Sequence, residues 1–353
     1  MEIIEKNIEG APLKIYVGSS MEPTINDVAS GFSGNFAFVS RTVNGMYRTK
    51  INKMNFNKIY MKDGESVKSM RYFTFILRKL IERNVERDNN IAYIGGGTLG
   101  DLVGYSSSVF KRGVHLTAIP TTLLSQIDSS IGGKNAIDFM GIKNVIGTFY
   151  QPNIIIDDID FLINSPASLL KEGMAEALKM AVIGDRNLFD YLMANNINSI
   201  HNYGSLANII SKSIKIKLDI VSKDFYDEQK IRYLLNFGHS IGHAIEAYSN
   251  NAISHGTAVA NGMVIESYIA YKAGYSSPLY DLFKEAAKRY GIDLINFKSL
   301  EIDALLRYIK NDKKVENGAL NMVMLLDKGN AEVNRIDFAS LRRYLNMYSG
   351  ETC

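Results

Sequence analysis

The sequence predicts an α/β domain with a parallel sheet, followed by a domain built from helices. Through the first 160 residues, short apolar runs alternate with turn residues and with an amphipathic segment. Alternating strands and helices are typical of a parallel sheet whose two faces are covered. After Pro166 the apolar residues recur at helical spacing instead. We therefore predict an α/β domain over residues 1–160 and a helical domain over residues 161–353.

The predicted elements follow from these two patterns. Strands are predicted where apolar runs are bounded by turn residues, at 13–18, 35–40, 57–62, 90–97, 114–120 and 153–158. Residues 68–87 carry apolar side chains along one helical face. Further helices are predicted at 166–183, 204–222, 233–248, 255–273 and 279–290, with a polar loop at 250–256. Residues 319–326 form a last predicted strand, which could belong to a small hairpin.

Composition limits the class of protein. The chain has 353 residues and a formal net charge of +3, which is too small to indicate a nucleic-acid surface. Its one cysteine, Cys353, excludes an intrachain disulfide and a cysteine metal cage, as expected in a reducing compartment. The first residues lack an apolar signal core, and no run of about 18 apolar residues occurs. We expect a cytoplasmic enzyme with no nucleic-acid or membrane partner.

Gly95, Gly97 and Gly100 form a G-x-G-x-x-G turn between a predicted strand and an apolar helical run. Such a turn lets backbone N–H groups approach a pyrophosphate, although many glycine-rich turns bind no ligand. The acid that normally follows about 20 residues later is missing. Asp63 or Glu65 could replace it, or could simply cap the helix that follows. The small polar residues of segment 120–134 would make a poor core, so we predict that they line a ligand cleft.

Three of the five histidines lie close together in the sequence. His239 and His243 are four residues apart and would share one face of a helix. Together with His255 and a carboxylate, for which Glu176 is the best candidate, they could form a catalytic zinc site. His243 could instead act as an acid or base. The plainer interpretation is a set of packed or solvated histidines, with Glu176 an ordinary acid beside Lys179.

Several cationic residues stand beside glycine, asparagine or apolar runs rather than in a mixed surface pattern. They could bind a substrate with a phosphate and a carboxylate, since arginine holds such anions in a bidentate way and lysine as a point charge. Solvated side chains are the plainer interpretation here too. The residues concerned are Arg112, Lys134, Lys143, Lys179, Arg232, Lys313 and Lys314.

Eight stretches together resemble the 3-dehydroquinate synthase family of sugar-phosphate cyclases, in order and across nearly the whole chain. They are 63–65, GGGTLGDLVGY (95–105), 111–137, 141–152, 173–179, LLNFGHSIGHAIEA (234–247), 255–263 and 311–314. The resemblance implies a Rossmann-like NAD-binding α/β domain and an all-α metal-binding domain, with the active site between them. It also implies NAD, zinc or cobalt as cofactors, and a homodimer.

The resemblance implies a role for each matching residue. The metal ligands would be Glu176, His239 and His255. Cofactor contacts would come from Asp63, Glu65, Lys68, Gly95, Gly96, Gly97, Thr98, Leu99, Gly100, Asp101, Thr121, Thr122, Leu124, Asp128, Ser129, Lys134, Lys143, Phe161 and Asn164. Catalytic or substrate contacts would come from Arg112, Lys134, Asn144, Lys179, Lys217, Glu228, Arg232, Asn236, His243 and one of Lys313 and Lys314.

Two stretches depart from the family pattern. The segment from Lys217 to Arg232 is one residue longer than usual. Asn164 stands where the family has threonine, and Ser168 and Leu169 replace an Arg–Glu pair. We expect these changes to alter cofactor affinity or domain closure rather than the chemistry.

The implied reaction converts 3-deoxy-D-arabino-heptulosonate 7-phosphate to 3-dehydroquinate and phosphate, in the shikimate pathway. The enzyme would be a carbon–oxygen lyase that works through transient oxidation by NAD, phosphate elimination, reduction and aldol cyclisation. A cyclase for glucose 6-phosphate or sedoheptulose 7-phosphate is a rival, but it would not need a carboxylate contact from Arg232. Two further hypotheses are a metal-dependent alcohol or glycerol dehydrogenase, which would consume NAD stoichiometrically, and an inactive binding protein.

Overall fold

The computed structural model describes residues 1–312 and 314–351, which form two compact units. The first unit comprises Met1–Leu170 together with Asn202–Tyr226. The second comprises Lys171–His201 and the chain from Asp227 onward. The chain therefore leaves the first unit, returns to it for one helix, and leaves it again. The functional boundary predicted at residue 160 stays a prediction.

The strands are numbered in chain order. They are β1 (Glu2–Ile8), β2 (Ala11–Gly18), β3 (Asn35–Ser40), β4 (Asn57–Met61), β5 (Asn90–Gly95), β6 (His115–Pro120), β7 (Lys134–Phe139), β8 (Ile142–Phe149), β9 (Ile154–Asp158), β10 (Val315–Glu316), β11 (Ala319–Asp327) and β12 (Asn330–Asp337). Every strand predicted from the sequence is present, with ends shifted by no more than two residues. The sequence does not individually predict strands β1, β7, β8, β10 and β12.

The helices are numbered in the same way. They are α1 (Glu22–Ser30), α2 (Arg41–Asn52), α3 (Met70–Glu82), α4 (Gly97–Val109), α5 (Asp160–Ile163), α6 (Ala167–Gly184), α7 (Arg186–Ala194), α8 (Ile197–Ile200), α9 (Tyr203–Val221), α10 (His239–Tyr248), α11 (His255–Lys272), α12 (Tyr280–Tyr290), α13 (Ile302–Lys310) and α14 (Phe338–Glu351). Within residues 1–312 and 314–351, none of these helices is both long and apolar enough to cross a membrane.

A seven-stranded sheet organises the first unit, in the order β1-β2-β9-β6-β5-β3-β4. Strand β1 pairs antiparallel with β2, and the other neighbours are parallel. All of β5 is buried, as expected for a central parallel strand covered on both faces. Ile25 of α1 and Ile51 of α2 pack in one core cluster with Val39, Ile94 and Ile156 of the sheet. The predicted parallel α/β architecture is confirmed.

Helix α11 is the centre of the second unit. Its residues from Ala258 to Ala270 are all buried, which is typical of a helix covered on every side. Helix α10 crosses it so closely that a side chain at Gly262 would collide with the carbonyl oxygen of Gly238. The predicted strand at 319–326 is β11, which forms a hairpin with β12. The unit is thus helical, with a small antiparallel sheet added.

One helix begins later than the sequence predicts. The apolar pattern indicates a helix from residue 233, but residues Ile231–Asn236 form a 3₁₀ turn and α10 begins at His239. Gly238 has φ of +79°, a left-handed conformation that interrupts the helical path. His239 is therefore the first residue of a helix rather than part of its second turn.

Candidate functional site

The structure brings Glu176, His239 and His255 together in the second unit, each from a different helix. Glu176 lies in α6 and is fully buried, while His239 and His255 are the first residues of α10 and α11. Glu176 Oε1 lies 3.5 Å from His239 Nε2 and 3.2 Å from His255 Nε2. All three ligand atoms lie within 4.8 Å of one another. These separations suit one ion, since Zn–N and Zn–O bonds of about 2 Å place tetrahedral ligand atoms about 3.3 Å apart.

Both imidazoles present Nε2 to Glu176 because their other ring nitrogen has a partner. His239 Nδ1 lies 3.1 Å from the carbonyl oxygen of Phe237, and His255 Nδ1 lies 3.3 Å from Glu246 Oε2. A proton on Nδ1, donated to such an acceptor, leaves the Nε2 lone pair available to a metal. The donor set therefore fits zinc or cobalt, which bind imidazole nitrogen and carboxylate oxygen.

The electrostatics of this cluster favour a positive charge beside Glu176. Burial alone would raise the pKa of Glu176, but the Lys179 ammonium and the two imidazoles hold it well below its usual range. Burial would likewise lower the pKa of His255, but hydrogen bonds with Glu176 and Glu246 raise it to about 10. Two carboxylates therefore attract positive charge onto or beside this imidazole.

His243 stands next to the cluster without being part of it. Its ring centroid lies 5.2 Å from that of His239 and 6.1 Å from that of His255. Burial of part of the ring and the Lys314 ammonium lower the pKa of His243 to about 4, so this imidazole is neutral at pH 7. Because the side chain is exposed as well, it is placed to exchange a proton with a ligand.

Two buried lysines lie in the same unit. The Nζ atom of Lys179 contacts Glu176 Oε2, the carboxylate oxygen that does not face the imidazoles. Lys314 is buried with its Nζ 2.7 Å from Asp312 Oδ2, and it lies close enough to shift the pKa of His243. Of the two lysines predicted for one substrate contact, Lys313 lies outside the described residues.

The remaining predicted residues of this unit precede α10. Arg232 is buried and Asn236 half-buried, both in the 3₁₀ turn, while Glu228 is exposed before that turn. Their roles as substrate contacts stay predictions.

In the first unit, a cavity of about 220 Å³ lies at the carboxyl ends of four adjacent parallel strands, β3, β4, β5 and β6. The sheet places β4 on one side of β3 and β5 on the other, and ligands of open α/β sheets bind at such switch points. Several of the predicted cofactor residues line the cavity: Asp63, Gly96, Thr98, Leu99, Thr121 and Thr122.

The glycine turn sets the shape of this cavity. Helix α4 begins at Gly97 without a side-chain cap, so its first N–H groups are available to an anion. A side chain at Gly97 would have its Cβ 2.6 Å from Ser129 Oγ, so any larger residue there would force Ser129 to move. The predicted contact Leu124 directly precedes the π-helical turn Ser125–Ser129, which ends in another predicted contact, Ser129. These features fit the pyrophosphate of a dinucleotide.

Asp63 ties the end of β4 to the start of α2. Its carboxylate accepts hydrogen bonds from Ser40 Oγ, from Thr42 N at 3.0 Å and from Thr42 Oγ1 at 2.9 Å. Glu65 accepts one from Thr98 Oγ1 at 3.1 Å. The sequence did not reveal Ser40 and Thr42, because they lie at the end of β3 and the start of α2 and nothing local links them to Asp63.

Lys68, Asp101 and Asn144 form a second group in the first unit. The buried Lys68 ammonium donates to Asp101 Oδ2 at 2.7 Å and to Asn144 Oδ1. Burial raises the pKa of Asp101 to about 6, although Lys68 opposes this shift. Asn144 has φ of +54°, and its N–H donates to Asp138 Oδ1 at 2.8 Å. A predicted cofactor lysine and a predicted substrate asparagine thus meet.

Lys217 and Asp128 form a third group. Lys217, on α9, is buried and donates to the backbone oxygen of Asp128 at 2.5 Å and to its carboxylate. Phe161 is buried in the core cluster. The other predicted residues of this unit are exposed, and their roles stay predictions: Arg112, Lys134, Lys143 and Asn164.

Glu246 is a site residue that sequence reasoning missed. It lies seven residues after His239, two turns further along the same face of α10. That spacing is the signal that could have placed it beside the histidines.

Comparison with solved structures identifies the fold. The chain matches 2-deoxy-scyllo-inosose synthase complexed with carbaglucose-6-phosphate, NAD+ and Co2+ at TM-score 0.85 and 21% identity, over 98% of this chain and 100% of the other. It matches 2-epi-5-epi-valiolone synthase from Streptomyces hygroscopicus subsp. jinggangensis 5008, with NAD+ and Zn2+ bound, at TM-score 0.87 and 22% identity, over 97% of each chain. The protein therefore has the fold of the sugar-phosphate cyclases.

Sequence comparison is more specific. Residues 58–172 match the 3-dehydroquinate synthase N-terminal model, and residues 173–315 match the C-terminal model. The 3-dehydroquinate synthase of Picrophilus torridus is 48% identical over 86% of this chain and 87% of its own length. That of Thermoplasma volcanium is 44% identical over 89% and 88%. The chain belongs to the 3-dehydroquinate synthase family.

Proposed function

We propose that this chain is a 3-dehydroquinate synthase, a carbon–oxygen lyase that depends on NAD and a divalent metal. It would convert 3-deoxy-D-arabino-heptulosonate 7-phosphate to 3-dehydroquinate and phosphate. The observation that carries the proposal is the convergence of Glu176 Oε1, His239 Nε2 and His255 Nε2 within 4.8 Å. The names of the relatives, at up to 48% identity, support it.

Each cofactor has a matching group of residues. Glu176, His239 and His255 would hold zinc or cobalt, and the cavity residues around Asp63 and Thr98 would hold NAD. When bound, NAD supplies reversible hydride transfer and the metal lowers the pKa of a coordinated hydroxyl. The N–H groups at the start of α4 would bind the pyrophosphate, as at other helix N-termini.

The substrate carries a phosphate and a carboxylate, and the proposal assigns cations to both. Lys179 and His243 lie beside the metal cluster, so they would face the phosphate, together with Lys134 and Asn144. A neutral His243 can donate one ring proton and accept another, so it suits proton transfer during phosphate departure.

The carboxylate would be held by Arg232 and Lys314, both of which are buried. A buried guanidinium can give a planar, bidentate contact to a carboxylate. A cyclase whose substrate carries a phosphate but no carboxylate would not need this second pair of cations.

The decisive experiment is a phosphate-release assay on the heptulosonate phosphate. Protein stripped of metal should be inactive, and zinc or cobalt should restore activity in the presence of NAD. Because NAD is regenerated in each cycle, substoichiometric NAD should support many turnovers without a lasting rise in NADH absorbance.

Two outcomes would replace the proposal. Release of phosphate from sedoheptulose 7-phosphate but not from the heptulosonate would indicate a different cyclase. Stoichiometric formation of NADH with a simple polyol would indicate a dehydrogenase.

A further inference from the structure

Glu266 is a buried carboxylate outside every group assigned so far. It lies on α11, has no exposed surface, and sits three turns beyond His255. Its Oε2 accepts a hydrogen bond from Gly238 N at 2.7 Å, and its Oε1 accepts one from Ile241 N at 3.0 Å. A buried carboxylate is costly unless such partners satisfy it. Both carboxylate oxygens of Glu266 therefore accept hydrogen bonds from backbone N–H groups at the N-terminus of α10.

That first turn carries His239. Helix α10 has glycine at its N-cap and no side-chain cap of its own, so its first N–H groups depend on a partner from elsewhere. Glu266 binds the N–H groups of Gly238 and Ile241, which lie on either side of His239. The carbonyl oxygen of Phe237 orients the His239 ring through Nδ1, and Phe237 directly precedes Gly238, whose N–H Glu266 binds.

The same helix carries the other imidazole. His255 opens α11 and Glu266 lies further along it, so α11 holds His255 directly and His239 through Glu266. The close approach of α10 and α11 at Gly238 and Gly262 keeps the two helices in register. Glu266 therefore connects the first turn of α10 to the helix that carries His255.

We infer that Glu266 is a positioning residue for the metal site. It fixes the first turn of α10 to α11 and so holds His239 Nε2 close enough to His255 Nε2 for both to bind one metal ion. The inference rests on the proposed metal site. Groups that orient metal ligands in this way typically contribute about 10- to 100-fold to metal affinity.

Asn261 provides a matched control on the same helix. It is buried like Glu266, but its Nδ2 donates to the backbone oxygens of Thr257 and Asp293, at 2.8 and 2.9 Å, and its Oδ1 accepts from Ile295 N. It thus secures a loop instead of α10. Glu266→Gln, Glu266→Ala and Asn261→Ala should all lower the melting temperature of the metal-stripped protein.

The deciding measurement is the zinc dissociation constant of the full chain, by competition with a chromogenic chelator. Glu266→Gln keeps one acceptor and should weaken binding about tenfold, and Glu266→Ala should weaken it further, while Asn261→Ala stays within about twofold of wild type. The visible absorption band of bound cobalt should shift in the Glu266 variants alone, because it reports ligand geometry.

Wild-type affinity and an unchanged cobalt spectrum in Glu266→Gln would overturn the inference, even if the variant were less stable. If Glu266→Ala fails to fold, Glu266→Gln against Asn261→Ala still decides. A wild-type protein that binds no metal would overturn both this inference and the proposed cofactor. A wild-type protein that binds metal but releases no phosphate would count against the proposed function alone.

Discussion

Two clusters of potential metal ligands occur in the described part of the chain, and they differ in what lies between their ligand atoms. In the first unit, Glu22, Asp158 and Asp160 surround the Lys50 ammonium, at 2.8, 2.8 and 2.7 Å. In the second unit, two imidazole nitrogens and one carboxylate oxygen point toward one another. Proximity alone does not make a metal site, because a built-in ammonium can already supply the positive charge.

The cluster of Lys50 with Glu22, Asp158 and Asp160 stabilises the fold. Burial alone would lower the pKa of Lys50, but the hydrogen bonds with Asp158, Asp160 and Glu22 raise it above its ordinary value. The contacts join α1, α2, the end of β9 and α5. In the second unit the lysine lies to one side instead: Lys179 contacts Glu176 Oε2, while Glu176 Oε1 faces the two imidazoles.

The largest effect should come from removing the carboxylate of the metal cluster. Glu176→Gln should lower phosphate release at least about a thousandfold, because a catalytic metal contributes several kcal/mol to transition-state stabilisation. Metal content, measured on the dialysed protein, should fall in parallel. The same substitution in the Lys50 cluster, Glu22→Gln, is the control and should leave metal content unchanged. Equal metal loss in both variants would remove the distinction between the clusters.

A smaller effect should come from removing the built-in cation. Lys50→Met should destabilise the fold by about 3 kcal/mol in urea unfolding, since it leaves three carboxylates without their partner. Millimolar calcium should partly restore the melting temperature of this variant and leave wild type unaffected, because oxygen ligands suit that ion. The control is Lys79→Met, which removes an exposed ion pair with Glu82 and should change little. If Lys50→Met were as stable as wild type, these ion pairs would not stabilise the fold.

The smallest effect concerns Asp157, the neighbour of Asp158 on the opposite face of β9. Neither of its carboxyl oxygens has a hydrogen-bond partner in the described structure, and burial raises its pKa well above the ordinary value. The unfolded-state pKa is about 4, so this group costs stability only above about pH 4, and the cost grows toward its folded-state pKa.

Asp157→Asn should therefore stabilise the protein by about 1–2 kcal/mol at pH 7.5 and have almost no effect at pH 3.5. Urea unfolding at the two pH values measures the difference. A stabilisation that is the same at both would show that Asp157 does not titrate differently in the folded state.

The sequence predicts those features that local pattern determines. The central strands are identifiable because buried parallel strands are continuous apolar runs, as in Asn90–Gly95. The edge strand β1 mixes charged and apolar residues without a continuous apolar run, and hairpin β7–β8 is largely exposed, so neither has that signal. The sequence pattern predicts a start for α10 that is too early. The preceding turn is separated from α10 by a left-handed glycine, Gly238, and not by a change in polarity that the pattern could show.

The site shows the same limit. The spacing of His239 and His243 indicates a shared helical face, His255 and Glu176 are recognisable as further candidate ligands, and the family pattern supports both. Their convergence depends on how three helices cross, which no local pattern contains. In the sequence, Glu266 is simply a polar residue within a largely apolar helix, and nothing local indicates its partners on α10. The partners of Lys50 likewise lie far from it in the chain. Such contacts become visible only in the folded protein.

The return of the chain to the first unit has a practical consequence for anyone who wishes to express that unit separately. A fragment ending at residue 170 would lack α9, which packs against β2 and the π-helical turn and supplies Lys217 to Asp128. It would expose the apolar face of the sheet that α9 covers and would be prone to aggregate. A fragment intended to reproduce the first unit should therefore include residues 202–226 as well.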